Sequence, residues 1–329
     1  MPLLAELHCH LEGTAPPALV RRLAARNSIA LPGEMFNAGG GFAWDGFSRF
    51  LEVYDLASSV IRGPQDYAEV TSAYLAQAAA EGAIYVELMA SPDHAMGNSM
   101  SYSAQIEGIA AGIDAARRRH GIEARVIVVA IRHVGPERAL EVARAIASHP
   151  HPLVTGFGLA GDERHGHPRD FAPAFRLACD AGLEATAHAG ELAGPESIRA
   201  ALAHLPISRL GHGVRAAEDP DLVAEIAERG IVLELCPTSN VATGVYSTLA
   251  EHPLPRLRAA GCRVTLNTDD PPYFGTSIGK EYRSAAAAFG LSERDLAGIT
   301  RTAIEAAFVD VPTRAWLLER LGAASCAPE

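Results

Sequence analysis

In LLAELHCHLEG, residues 3–13, a short apolar run ends in two histidines one residue apart, His8 and His10, and Glu12 follows two positions later. A run of that length and character reads as a buried β-strand. Side chains alternate between the two faces of a strand, so His8 and His10 leave its C-terminal end on the same side.

The same form recurs along the chain. Seven further runs follow: AIYVELMA (83–90), RVIVVAI (125–131), LVTGFGL (153–159), LEATAHA (183–189), ISRLGHG (207–213), IVLELC (231–236) and RVTLNT (263–268). Between them lie Ala/Arg/Glu-rich helical stretches. One of these is DPDLVAEIAERG, which has Asp219 and Asp221 at its start and Gly230 at its end, the signature of a capped helix. Eight strands alternating with helices predict an α/β chain folded as a (β/α)8 TIM barrel. No linker divides it, so residues 1–329 are expected to form one domain.

Roughly 70 residues separate the first two strands, too many for one helix, and they predict a helical insertion after strand one. The insertion includes GGGFAWDGFSRFLEVYDLASSVI, a glycine-rich loop and then an aromatic helix carrying Phe47, Phe50, Leu51 and Tyr54. Two readings stand side by side: a surface packed on the barrel, or an apolar lid over a pocket at its mouth.

The composition is that of an ordered globular protein, 48% hydrophobic and 20% charged. The formal net charge of −11 argues against nonspecific nucleic-acid binding and for a small-molecule partner. Five scattered cysteines without a CxxC pair read as reduced thiols. There is no basic segment followed by a long apolar stretch at the start, and no run of membrane-spanning length. A cytoplasmic enzyme with no membrane partner is expected, and a homo-oligomer is compatible with these features.

The strand ends carry the chemistry. Strand five closes on His188, strand six on His212, and strand eight on Asp269 and Asp270. In a barrel these ends share one rim with His8 and His10, where active sites sit. Histidine nitrogens with an aspartate oxygen make a ligand set suited to zinc. The plain alternative is a row of strand caps serving loops. Glu191, three residues beyond His188, is placed to act as a proton donor; otherwise it is a carboxylate at a helix N-terminus. His149, His151, His165 and His167 fall in polar loops and read as solvated.

HCHLEG, GLAGDE (158–163), HAGE (188–191), GHG (211–213), CPTSN (236–240) and NTDDP (267–271) resemble, in order and across nearly the whole chain, the motifs of the adenosine deaminase family. The resemblance implies one zinc per chain, held by His8, His10, His188 and Asp269. It implies that His212 orients the attacking hydroxide, that Glu191 protonates purine N1, and that Asp270 bonds to N7. Gly161 would offer its backbone N–H to N3, and His10 and Glu12 would also face the substrate. The implied reaction is deamination of adenosine, and of 2′-deoxyadenosine, to inosine and ammonia.

The alternatives are an adenine deaminase or a deaminase of a 5′-modified nucleoside. Gly161, Gly211 and CPTSN lean toward a nucleoside and place adenosine first. Glu12 departs from the pattern, because adenosine deaminases usually have an aspartate there that helps bind the ribose 5′-hydroxyl. A binuclear amidohydrolase would need a lysine or an acid on a middle strand, and the one lysine, Lys280, follows strand eight. A cytidine-type zinc deaminase needs PCxxC, which the chain lacks. A non-catalytic metal- or purine-binding barrel is the remote alternative.

Overall fold

The eight expected runs form one parallel sheet in sequential order, and its two edge strands come together so that the barrel is nearly closed. The structure, a computed structural model, describes residues 2–325. The strands are β1 Leu4–His10, β2 Ala83–Ala90, β3 Glu123–Ile131, β4 Val154–Ala160, β5 Glu184–Ala189, β6 Arg209–His212, β7 Val232–Leu235 and β8 Arg263–Leu266. Nearly every strand residue is buried, since helices cover the outside and side chains fill the inside.

Residues at the rim make the closing contact. Cys9 bridges Asp269, His10 N–H donates to the Asp269 carbonyl at 3.0 Å, and Asp269 N–H donates to the His8 carbonyl at 3.1 Å. The join therefore fixes the two ends of the sheet where the candidate ligands stand. β1 also carries a register shift between Glu6 and Cys9. The Leu7 N–H there goes to Asn267 Oδ1 at 2.8 Å, while Glu6 accepts from the Thr268 backbone at 3.0 Å. Such an irregularity re-aims side chains beside a site.

The insertion holds three helices, α1 Pro17–Arg26, α2 Phe47–Ser58 and α3 Pro64–Ala80. α2 is the expected aromatic helix. Its Phe50 packs on Tyr273 and Phe274, with ring centroids 5.3 and 5.4 Å away, in the short turn that follows β8. The two readings of this helix merge, because α2 is packed on the barrel and also roofs its mouth. The expected capped helix is Pro220–Glu228, where Asp219 accepts from the N–H groups of Asp221 and Leu222 at 3.1 and 3.2 Å. No helix among the described residues is long and apolar enough to cross a membrane.

Candidate active site

His8, His10, His188 and Asp269 meet at the rim, each offering one ligand atom, and these atoms all lie within 4.8 Å of one another. Hydrogen bonds behind the rings decide which way their lone pairs point. His8 Nδ1 lies 2.9 Å from Glu234 Oε2 and donates to it, so Nε2 is the nitrogen left to act as a ligand atom; among the described residues that buried nitrogen has no hydrogen-bond partner. His188 Nδ1 lies 3.0 Å from the Leu159 carbonyl and donates to it, so its Nε2 holds a lone pair. That nitrogen faces His10 Nε2 at 3.2 Å. Asp269 Oδ1 stands 3.3 Å from His10 Nε2 and 3.5 Å from His8 Nε2. Lone pairs converging on one buried point with a carboxylate fit a metal cation.

A proton competes with a cation for the cluster: burial alone would lower the His8 imidazole, but Asp269 and Glu234 raise it to about 9, so a metal would bind by displacing the Nε2 proton. Burial and the facing rings of His8, His10 and His212 push His188 well down, so it stays a neutral ligand. Burial opposes ionisation of Asp269, yet the neighbouring imidazoles of His10 and His8 hold it well below the usual carboxylate range. Ser239 Oγ also donates to Asp269 Oδ2, at 2.7 Å.

Glu234 is the far end of a buried line of charge. Its Oε1 lies 2.7 Å from Arg209 Nε, ion-paired although out of line for a hydrogen bond. Arg209 Nη2 donates to Glu87 Oε2 at 2.6 Å, and its guanidinium lies over Phe308 at 3.4 Å. Buried ions must be paired in this way, and the line braces the His8 ring from the barrel axis.

A cavity of about 70 Å³ opens beside the ligand cluster. Its floor is His10, His188, Glu191, His212, Asp269, Asp270 and Gly161, and α2 supplies a wall of Phe47, Phe50, Leu51 and Tyr54. His212 Nε2 stands 3.6 Å from Glu191 Oε2 and 3.8 Å from Asp269 Oδ2. Burial and then the Asp269 and Glu163 charges raise Glu191 well above an ordinary carboxyl, so it carries a proton to give. Burial and the neighbouring Asp269 and Glu191 do the same for Asp270, whose buried Oδ1 has no hydrogen-bond partner among the described residues. His212 and Asp269 both adopt left-handed backbone, φ 58° and 63°, a strained state for such residues that aims them into the cavity.

Gly161, at φ +90°, also needs to be glycine: a Cβ there would meet His133 Nδ1 at 3.0 Å. Of the expected site residues, His8 and Glu12 do not line this cavity; His8 stands in the ligand cluster beside it, whereas Glu12 belongs to neither. Its buried carboxylate accepts from Tyr67 OH at 3.1 Å, Ser91 N–H at 3.2 Å and Gln105 Nε2 at 3.3 Å.

Sequence reasoning passed over Glu163, Glu234, Ser239 and Asn240. Ser239 and Asn240 sit in CPTSN and Glu163 in GLAGDE, motifs that mark the family without giving these three a role. Glu234 had a signal of its own, a carboxylate inside an apolar strand, which must find a partner.

A family model described as adenosine deaminase matches residues 3–324. The chain is 54% identical over 321 residues to an adenine deaminase of Chelativorans sp. (strain BNC1), covering 98% of each chain. Its fold matches the crystal structure of adenine deaminase from Arthrobacter aurescens, with a TM-score of 0.92, 30% identity, and 99% and 100% of the two chains covered. It also matches an amidohydrolase from Burkholderia ambifaria with bound Zn, with a TM-score of 0.88, 26% identity, and 98% and 92% covered. With the ligand cluster, the proton-bearing carboxyls and these matches in agreement, the chain belongs to the adenosine deaminase family and is an enzyme of the adenine/adenosine deaminase type.

Proposed function

We propose that this chain is a zinc-dependent adenine deaminase, a single-domain cytoplasmic enzyme that converts adenine and water to hypoxanthine and ammonia. The observation that carries the choice of base over nucleoside is Glu12. Tyr67, Ser91 and Gln105 all donate to its Oε1, which ties the carboxylate down outside the cavity lining; in this reading it does not serve a ribose 5′-hydroxyl. The names of the relatives support the same choice.

This reverses the order suggested by the sequence, which put adenosine first. The features behind that ranking have reasons unrelated to ribose. A Cβ at Gly211 would lie 2.9 Å from His8 Cε1 and 3.1 Å from His188 Nδ1, so the ligand rings themselves demand glycine. Gly161 is required by its left-handed backbone, φ +90°, where a Cβ would also stand 3.0 Å from His133 Nδ1. Glu163 of the same motif binds the backbone of the Glu191 loop. A base deaminase needs each of these as much as a nucleoside deaminase does.

In this proposal His8, His10, His188 and Asp269 hold the zinc. A zinc ion there would lower the pKa of water to about 7 and so supply hydroxide at neutral pH. The protein's own groups do the rest. Protonated Glu191 donates to purine N1, which draws electrons from C6. Protonated Asp270 donates to N7, and the Gly161 backbone meets N3. His212 orients the attacking oxygen. The new C6–O bond forms and the C6–N6 bond breaks; of the two protons of the attacking water, one restores the carboxyl of Glu191 and the other leaves with the amino group as ammonia. The aromatic face of α2 keeps bulk water away.

An ammonia-release assay with adenine, adenosine, 2′-deoxyadenosine and 5′-modified adenosines tests the substrate. Adenine should show the highest kcat/KM; a higher value for any nucleoside would overturn the assignment.

A further inference from the structure

His212 has two ring nitrogens, and the reading of the site above requires one of them to present a proton to the cavity. The surroundings decide which. The Leu254 backbone N–H lies 3.2 Å from His252 Nδ1. A backbone amide can only donate, so His252 Nδ1 holds a lone pair and the ring's one proton is on Nε2. That nitrogen lies 3.2 Å from Asn240 Oδ1 and donates to it. The oxygen of the Asn240 amide is thereby fixed on the His252 side, and its Nδ2 faces His212 Nδ1 at 3.2 Å. The amide NH2 can only donate, so His212 Nδ1 holds a lone pair. The proton of His212 is then on Nε2, the nitrogen that looks toward Glu191 and Asp269.

We propose that His252, acting through Asn240, is a positioning residue that locks His212 in its Nε2–H form. The order of donors starts from a backbone amide, so each later assignment follows from the one before it. Every member is buried, and no water is needed to complete the relay. His252 touches neither the cavity nor the ligand cluster; its influence passes through one amide. In the Nε2–H form His212 donates to the attacking oxygen and holds it at C6. In the opposite form Nε2 could only accept from that oxygen, and the donor that holds its attacking lone pair at C6 would be gone. Without the His252 donor the Asn240 amide is free to turn over, and both forms of His212 become populated.

The test uses the full-length enzyme with ¹⁵N-labelled histidine. Two-dimensional NMR reads the proton position on each ring, and His212 is assigned from a His212→Gln spectrum. The wild type should show His212 protonated at Nε2 alone. His252→Phe keeps the ring packing against Tyr246 and Phe289 but removes the donor; it should show a mixture of the two forms. Its kcat for adenine should fall about tenfold or more, as expected for the loss of one well-placed hydrogen bond, with KM changed far less. His252→Gln, which restores an N–H donor, should recover both the single form and most of the rate. A wild-type His212 protonated at Nδ1 would overturn the proposal. So would a His252→Phe enzyme with an unchanged His212 signal, or one whose lost rate is fully accounted for by lost folded protein. The NMR arm needs no turnover, so a wrong substrate assignment shows up in the assay alone.

Discussion

Glu163 Oε2 accepts the backbone N–H of Glu191 at 3.1 Å. The same oxygen accepts from Leu192 and Ala193 at 2.9 and 3.0 Å, while Oε1 takes Gly190 N–H and the Ser197 hydroxyl. One buried carboxylate thus gathers four consecutive amides of the loop that carries the proposed proton donor. Glu163→Gln keeps an acceptor oxygen but turns NH2 protons toward some of those amides. An unsatisfied buried amide costs about 1–3 kcal/mol, so the variant should melt at a lower temperature. Its kcat should drop at least ~10-fold as the loop loosens, while bound metal stays stoichiometric. Unchanged kcat at full metal occupancy would show that something else holds the loop.

The pH profile gives a second view of this pair. Glu191 sits well above an ordinary carboxyl because of burial first, then the charges of Asp269 and Glu163. The active form is the protonated one, so its loss sets the alkaline limb of kcat. Removing the Glu163 charge removes one of the upward pushes, and that limb should move to lower pH in Glu163→Gln. A limb that stays in place or moves up would separate Glu163 from the ionisation of Glu191.

Glu191→Gln tests the donor itself. The amide keeps the shape but cannot release a proton to N1. With metal content unchanged, kcat should fall at least ~10²-fold, the lower range for a positioned acid. Near-normal turnover would take Glu191 out of the chemistry.

The barrel and its rim are legible in the sequence because they rest on local pattern. Each strand is an apolar run, and each ligand is the polar residue that ends one. What the sequence hides is non-local. Glu234 reaches His8 across 226 positions and Glu163 reaches Glu191 across 28; no spacing rule joins them. The left-handed backbone at His212 and Asp269 is hidden too, since neither residue type asks for it. The position of Glu12 is the costliest omission. Its identity suggests a longer arm into the substrate site, but Tyr67 and Gln105, from two later helices, pull it out of the cavity.

The line from Glu234 to His8 gives a prediction about metal affinity. Groups that orient a ligating histidine typically change affinity about 10–100-fold when lost. Glu234→Gln should weaken zinc binding by that amount in a chelator competition, with the metal still bound at saturation. His8→Ala should lose the metal and all turnover while circular dichroism stays that of the wild type, because the contacts that close the barrel at its rim are made by backbone groups that the substitution leaves in place. Two metals per chain in the wild type, or full activity after stripping, would contradict a mononuclear site.

The last prediction concerns stability in acid. Burial lowers the His252 imidazole from 6.5 to about 3, because the folded protein disfavours its charged form. The unfolded chain, whose histidine titrates near 6.5, takes up a proton first as the pH falls. The stabilisation is therefore complete above 6.5 and is lost progressively down to about 3. Each pH unit inside that window costs about 1.4 kcal/mol for one such proton. His252→Gln removes the titrating ring and keeps the donor to Asn240. Between pH 6.5 and pH 5 the wild type should thus lose about 2 kcal/mol more than the variant. The remaining titrating groups are common to both proteins and cancel in the difference. Urea unfolding at the two pH values measures it directly. Equal losses in the two proteins would mean that His252 is already as easily protonated in the fold as out of it, and its lone pair at Nδ1 would then not be secured by the Leu254 amide.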